Sequence, residues 1–116
     1  MKYLMLVCVD GSVDLTREDD PVDEAAAAEE DSIEVWLAET GQRRLDGDRL
    51  RPPAEATTVR VRNGRTVLSD GPFAETKEQI AGYDVLDCAD LDEAIEIASK
   101  HPMAAWSGLE VRPLWL

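Results

Sequence analysis

The chain has 116 residues, of which 44% are apolar, and a net charge of −13 at neutral pH. That charge disfavours a nucleic-acid binder, because such proteins need a basic surface to displace counterions from phosphates. No apolar run approaches the roughly 18 residues of a membrane span, and no signal peptide is recognisable. We therefore expect a single cytoplasmic domain over residues 1–116, with no nucleic-acid or membrane partner.

Residues 2–9, KYLMLVCV, predict a strand in the centre of a sheet, because apolar side chains occupy both of its faces. The two faces carry Tyr3, Met5, Val7 and Val9 on one side and Leu4, Leu6 and Cys8 on the other. Residues 10–12, Asp-Gly-Ser, then predict a turn.

A helix is predicted next, with Asp20 as its N-cap, Pro21 at its first position and Gly41 just after its end. Four consecutive alanines at positions 25–28 favour the helix. Its apolar stripe comprises Val22, Ala25, Ala26, Ile33, Trp36 and Leu37.

Residues 43–55 are rich in arginine and proline, and they predict either a short strand or an extended loop. A β-hairpin follows, because residues 58–62 alternate, Asn63-Gly64 is the preferred two-residue turn, and residues 65–69 return. Arg60 and Arg62 are expected on the solvent face of this hairpin.

Residues 79–89 predict the next strand, and Asp90 with Glu93 predicts a capping box at the start of a second helix. The buried stripe of that helix is expected to comprise Leu91, Ala94, Ile95 and Ala98. Residues 109–114 alternate and predict a last strand at an edge of the sheet, since Pro113 cannot donate to a neighbour.

Two cysteines, Cys8 and Cys88, end two strands that we expect to run side by side in parallel. Both are expected to be reduced and buried, since disulfides are rare in cytosolic proteins.

The order of strand, helix, hairpin, strand, helix and strand predicts an α+β protein, a ferredoxin-like βαββαβ unit with an added hairpin. Two helices cover one face of such a sheet. The other face carries Leu4, Leu6 and Leu86 in this prediction, and it is too apolar for water. A second copy of the chain is the expected cover, which predicts a homodimer.

The segment Asp70–Glu78 reads DGPFAETKE and joins a rigid turn to four ionisable side chains. Asp70 can accept hydrogen bonds from backbone amides that follow it, Gly71 permits unusual backbone angles, and Pro72 fixes its own φ. Clustered acids and bases behind a turn are a common way to build a site on a loop. The charges of Glu75, Lys77 and Glu78 also fit a solvated cluster.

This segment, together with residues 52–102 and both ends of the chain, resembles the DGPFAETKE family, a branch of the YCII-related proteins. The resemblance implies a dimeric α/β barrel in which two sheets face each other and each subunit has a cleft. It also implies a regulatory or stress context, because relatives are often encoded beside genes for extracytoplasmic-function sigma factors. YCII-related proteins are proposed to use a His–Asp pair with the histidine in or near the first helix, but residues 11–41 here contain no histidine.

Two functions remain open at this stage. One is a homodimer that binds a small molecule without chemistry of its own, in a cleft lined by Phe73, Glu75, Lys77 and Trp36. The other is an acid–base enzyme of the lyase or isomerase type, acting on a small polar or aromatic compound with Asp70 as acid or base. Because the strand that Asp70 ends is expected to run antiparallel to the first strand in one sheet, Asp70 should lie near Tyr3 and residues 79–83.

Signals for other chemistry are few. No phosphate-binding loop, dinucleotide fingerprint or zinc-protease motif occurs, so we expect neither a cofactor nor a metal. The single histidine, His101, is read either as a structural or solvated side chain near a helix end or as a catalytic group.

Overall fold

The computed structural model describes residues 1–16, 33–73 and 78–115. The strands in these ranges are β1 (Lys2–Asp10), β2 (Arg44–Arg49), β3 (Thr57–Arg62), β4 (Arg65–Asp70), β5 (Glu78–Asp87) and β6 (Gly108–Pro113). The α-helices are α1 (Ile33–Thr40), α2 (Leu91–Ser99) and α3 (Met103–Trp106). No helix in the described ranges has the length and apolar character needed to cross a membrane.

Four strands form the main sheet in the order β2-β5-β1-β6, and every neighbouring pair is antiparallel. Strands β5 and β1 are therefore central, and β2 and β6 are the edges of the sheet. This is the strand order of a ferredoxin-like fold. The predicted α+β class is confirmed, and β1 occupies the central position that its two apolar faces predicted.

The expectation that Cys8 and Cys88 lie on parallel neighbours is wrong. Strands β1 and β5 are antiparallel, so Cys8 lies opposite Ile80, near the start of β5. The backbone N–H of Cys88 instead donates to the carbonyl of Met1, 2.9 Å away, at the other end of the sheet. Both cysteines are free thiols, with Cys88 buried and Cys8 half-buried.

Strand β2 lies within residues 43–55, for which the sequence predicted either a short strand or an extended loop. It forms one edge of the main sheet. The predicted hairpin turn is confirmed, because Arg62 pairs with Arg65 and both Asn63 and Gly64 have the positive φ of a type I′ turn. Strands β3 and β4 form a two-stranded sheet of their own. The reasoning that placed Asp70 beside Tyr3 therefore fails, because it assumed that β4 joins the main sheet.

The helices pack on one face of the main sheet, which we call the covered face. The β1 side chains on it are Tyr3, Met5, Val7 and Val9, and all four are buried. Trp36 of α1 is buried against them, and its Nε1–H donates to the carbonyl of Ile97 in α2 at 2.9 Å. This hydrogen bond joins two helices whose residues are far apart in the chain.

Helix α2 begins as predicted, because the Asp90 side chain accepts from the backbone N–H of Glu93 at 2.9 Å. The Glu93 carboxylate in turn accepts from the backbone N–H of Ala89. The predicted stripe is only partly right: Ala94 and Ala98 are buried, but Leu91 and Ile95 are about half exposed. Ile97 is buried instead, in the same core cluster as Trp36.

Of the first predicted helix, the proposed start at Asp20 and Pro21 and the alanines at positions 25–28 lie outside the described residues. The described part ends at Thr40, and Gly41 follows with φ +55°, as expected of a glycine after a helix. Within it, Trp36 is buried and Ile33 packs against the core, whereas Leu37 is partly exposed.

Candidate functional site

A cavity of about 280 Å³ lies on the covered face, between α1 and the edge of the sheet formed by β2 and β5. We call it the β2–α1 cavity. Its apolar wall consists of Val7, Ile33, Trp36, Leu37, Ala81 and Met103. The polar residues in its lining are Arg44, Asp48, Arg49, Asp84 and His101, of which Asp48 pairs with Tyr83 and carries its side chain on the other face of the sheet. An apolar wall with a few convergent polar groups is the usual composition of a small-molecule site.

Asp84 and Arg44 form an ion pair at the centre of the polar wall. Asp84 is only 6% exposed, and its Oδ1 accepts from Arg44 Nε at 2.6 Å. Burial raises the pKa of the Asp84 carboxyl, and the hydrogen bond and charge of Arg44 offset that rise only in part. The cavity therefore holds a carboxyl group whose proton is retained to higher pH than that of an ordinary aspartate.

The Arg44 guanidinium has donors to spare. Its Nε is taken by Asp84, but its two terminal nitrogens make no hydrogen bond to any residue that the structure describes. A guanidinium offers a planar pair of N–H donors that fits a carboxylate in two-point contact. The free donors point to an acidic or acceptor group as the natural partner of Arg44.

One β-bulge brings Arg44 to the cavity, and a second lies in the cavity wall. The pairing of β2 with β5 shifts between Arg44 and Asp46, so Leu45 is an extra residue and Arg44 turns to the covered face. The pairing of β1 with β5 shifts between Val7 and Cys8, opposite Ala81 in the cavity wall. Bulges that redirect side chains are frequent next to functional sites.

Gly47 allows the ion pair to lie close to β2. A Cβ at this position would meet Asp84 Oδ1 and Arg44 Nη2, and it would stand 2.7 Å from the carbonyl oxygen of Tyr83. Any side chain larger than hydrogen would therefore push the pair out of place. Gly47 is a glycine for reasons of space, since its φ is not in the positive range.

His101 forms another part of the cavity wall, and it is buried rather than solvated. Its ring meets the edge of Trp36 in a T-shaped contact with centroids 4.7 Å apart. Its Nδ1 accepts from the backbone N–H of Met103 at 3.1 Å, which places the proton of the neutral ring on Nε2. The histidine is thus held in one orientation and one tautomer, in the wall of the cavity that also contains the buried carboxyl group of Asp84.

This arrangement suits the binding of a small molecule and is able to move a proton. Trp36 and the aliphatic side chains offer a surface for an apolar or aromatic body, while Arg44 offers donors to an acidic group. Asp84 and His101 are ionisable groups that line the same cavity. Among the residues that the structure describes, no cluster of three or more His, Cys, Asp or Glu side chains suits a metal ion.

The predicted site residues lie in different places. Trp36 lines the β2–α1 cavity. Asp70 is exposed at the end of β4, and Phe73 is 75% exposed, with the Arg60 guanidinium 4.9 Å above its ring. Neither Asp70 nor Phe73 lines the β2–α1 cavity. Glu75 and Lys77 lie outside the described residues.

The turn that carries Asp70 is anchored by its backbone. Gly71 has φ +93°, its N–H donates to the carbonyl of Ala56 at 2.7 Å, and its own carbonyl accepts from Thr58 Oγ1 at 2.8 Å. No donor among the described residues reaches the Asp70 carboxylate. The sequence predicted that Asp70 accepts from backbone amides within residues 71–75. No such bond from Gly71 or Phe73 is present, and residues 74 and 75 lie outside the described residues.

Sequence reasoning did not select Asp84, Arg44 or Gly47. One signal was present, because Asp84 lies between Tyr83 and Val85 in an otherwise apolar strand pattern. An acidic residue at a strand position that faces the core needs a charged or hydrogen-bonding partner, so such a position is a reason to look for one. The bulge that brings Arg44 to the same face has no signature in the sequence.

Comparison with known proteins gives one family. The family model described as the YCII-related domain matches residues 1–116. An uncharacterized protein of Rhizobium meliloti (strain 1021), R00369, is 49% identical over 70 residues, which are 59% of this chain and 56% of that protein. The chain thus aligns with little more than half of this relative, whose printed name gives no activity.

Proposed function

Because this chain belongs to the YCII-related family, we propose that it is a homodimer that binds a small molecule in the β2–α1 cavity of each subunit. The observation that carries this proposal is the assembly of the cavity itself. A bulge in β2 turns Arg44 toward Asp84, and Gly47 leaves room for the resulting partly buried ion pair beside an apolar wall. Such features are costly for a strand unless the site has a use.

The ligand class follows from the lining. The free terminal nitrogens of Arg44 favour a carboxylate or a similar acceptor, and Trp36 favours an aromatic or apolar body. A volume of about 280 Å³ suits a compound of small size. We therefore assign the cavity to a small aromatic or aliphatic acid.

A titration followed by amide NMR shifts tests this assignment. Benzoate, phenylacetate and the neutral comparator benzamide are the probes. The two acids should shift the amides of Gly47, Gly82 and Asp84, and benzamide should bind more weakly. Shifts confined to residues far from the cavity, or none at all with any probe, would contradict the assignment.

Matched arginine variants locate the acid group. Arg44→Lys keeps a cation for Asp84 but removes the paired donors, so affinity for benzoate should fall about tenfold. Arg51→Lys is the control, because Arg51 is 86% exposed and lies outside this cavity. Equal affinities for the two variants would show that Arg44 does not hold the acid.

The homodimer is supported by the face of the main sheet opposite the helices, which we call the open face. Its centre is apolar and consists of Leu4, Leu6, Cys8, Ile80, Tyr83 and Val85. The β1 side chains on it are half-buried and Ile80 is 45% exposed, which leaves an apolar surface in contact with water. A mass near two chains by light scattering is expected, and a mass near one chain would reject the dimer.

The finer family position is part of the same proposal. The DGPFAETKE segment supports membership of that branch, and with it a dimeric α/β barrel in which the two open faces meet. A regulatory or stress context and a cytoplasmic location follow from the resemblance in the same way.

An acid–base enzyme of the lyase or isomerase type is the second candidate. It is favoured by one observation: Asp84, with its raised pKa, and His101 line the same cavity. Asp70 keeps its role as a predicted alternative acid or base. Proton exchange at C3 of 2-oxo acids, the carbon next to the keto group, in D₂O, followed by NMR, separates the two. Loss of exchange in Asp84→Asn but not in Asp70→Asn would assign the chemistry to the cavity, and absence of exchange in the unaltered protein would reject it for these acids.

A further inference from the structure

The hairpin formed by β3 and β4, which we call the hairpin arm, exposes an unusual amount of apolar surface. Val59, Val61 and Leu68 share one of its faces and are 61%, 60% and 63% exposed. A two-stranded hairpin is only marginally stable in water without a surface to pack on. No part of the chain that the structure describes covers this apolar face of the arm.

The arm is nevertheless held by defined contacts at its tip and at its base. Asn63 and Gly64 make a tight turn at its tip. At its base, Gly71 is bonded to Ala56 and Thr58, and Thr58 is buried. Among the described strands, β3 and β4 pair with each other and not with the main sheet. An ordered, projecting arm is suited to docking rather than to serving as a loose linker.

Charge indicates what the arm meets. Its other face carries Arg60, Arg62 and Arg65, whereas the chain as a whole has a net charge of −13. The open face is bordered on β2 by the exposed acids Asp46 and Asp48. Because these arginines lie on the face away from Val59, Val61 and Leu68, their charge acts at long range: it attracts the arm to the acidic body of another copy and would repel a basic partner.

We infer that the hairpin arm docks on a second copy of this chain, with Val59, Val61 and Leu68 against the open face where Ile80 is exposed. This inference rests on the proposed homodimer and adds a second contact to it. The open face supplies the apolar surface that the arm lacks, and the arm supplies cover that two stacked sheets do not give at their edges. In a twofold dimer each copy gives one arm and receives one.

Sedimentation velocity on three matched variants tests the inference. Val61→Asp with Leu68→Asp alters the arm, Leu6→Asp alters the open face, and Ile95→Asp alters an apolar side chain of similar exposure on α2. The arm and open-face variants should each raise the Kd of the dimer by about tenfold or more, and Ile95→Asp should leave it unchanged.

The outcomes separate the arm from the dimer. A wild-type chain that sediments as a monomer rejects the proposed dimer and the arm with it. A dimer that Leu6→Asp weakens but the arm variant does not affect keeps the proposed interface and overturns the arm.

A measurement on the unaltered protein guards against misfolded variants. Amides of Thr57–Arg62 should exchange hydrogen more slowly in the dimer than after dilution to monomer. Equal exchange at both concentrations overturns the inference.

Discussion

The two faces of the main sheet are built from the same strands, but the described helices pack on only one of them. Met5 and Leu4 are adjacent in β1, yet Met5 is fully buried on the covered face and Leu4 is half-buried on the open face. Alternation alone separates them. A central strand with two apolar faces needs a cover on each face of the sheet. Helices α1, α2 and α3 supply the cover on one face.

The covered face differs from the open face in a second respect, because it admits polar groups. Asp84, Arg44 and His101 lie at one corner of it, where helix α1 leaves a cavity above the sheet. Each has a partner: Asp84 and Arg44 pair with each other, and His101 bonds Met103. Buried polar groups are tolerated when they are bonded in this way.

The largest expected effect is the loss of packing on the covered face. Met5→Ala should lower the free energy of unfolding by about 2–5 kcal/mol, because it removes a fully buried side chain and leaves a cavity. Leu4→Ala is the matched change on the open face, and in dilute monomer it should cost much less. Urea unfolding at low and high protein concentration measures both. Equal losses of unfolding free energy for the two variants in dilute monomer would contradict the claim that only one face is covered within a single chain.

A smaller effect is expected from filling the space at Gly47. Gly47→Ala should lower the unfolding free energy by about 1–3 kcal/mol, because the new Cβ displaces the Arg44–Asp84 pair. Gly108→Ala is the control, since Gly108 also lies in an edge strand but has open space around its Cβ position. Thermal unfolding compares the two. Similar melting temperatures for both variants would mean that the pair moves without cost.

The pH dependence of stability tests the buried carboxyl. The pKa of Asp84 is raised in the folded state, so folding favours its protonated form. Its stabilising contribution is present below the unfolded pKa, about 4, and is lost as pH rises through the folded pKa. The unfolding free energy of the wild type relative to Asp84→Asn should therefore fall over that window. Asp92→Asn, at an exposed position on α2, is the control, and a difference that rises with pH would contradict the raised pKa.

The smallest expected effect is a change in the rate at which Cys8, on the open face, reacts with maleimide. Burial raises the pKa of the Cys8 thiol, so its reaction with maleimide should already be slow. Dilution from dimer to monomer should speed the labelling of Cys8, because the open face is then exposed. Cys88, which is buried on the other side of the sheet, serves as the internal control and should not change. A labelling rate of Cys8 that is independent of concentration would place the dimer contact elsewhere.

Features specified by neighbouring residues were predictable from the sequence. The faces of β1, the Asn63-Gly64 turn and the Asp90 cap each depend on side chains a few residues apart. Their outcomes follow from local rules of alternation, backbone angle and capping. The α+β class could be predicted because it requires only the order of these elements.

The cavity could not be predicted, because it depends on pairing between distant residues. The β2 sequence RLDGDR has no apolar alternation, and it becomes a strand through its pairing with β5. Arg44 and Asp84 meet across forty positions of sequence, and only a bulge turns Arg44 toward the cavity. Likewise, Ile97 is buried with Trp36 while Leu91 and Ile95 stay exposed, and this choice depends on how α2 packs against distant residues.

The contact between Trp36 and His101 gives the β2–α1 cavity a built-in optical reporter. The indole is buried and lies 4.7 Å from the imidazole, so its emission should be blue-shifted and sensitive to a ligand that enters beside it. Trp106 and Trp115 are exposed and should emit at longer wavelength. Occupancy of the cavity can thus be followed by fluorescence in the unlabelled protein, with Trp36→Phe as the spectral blank.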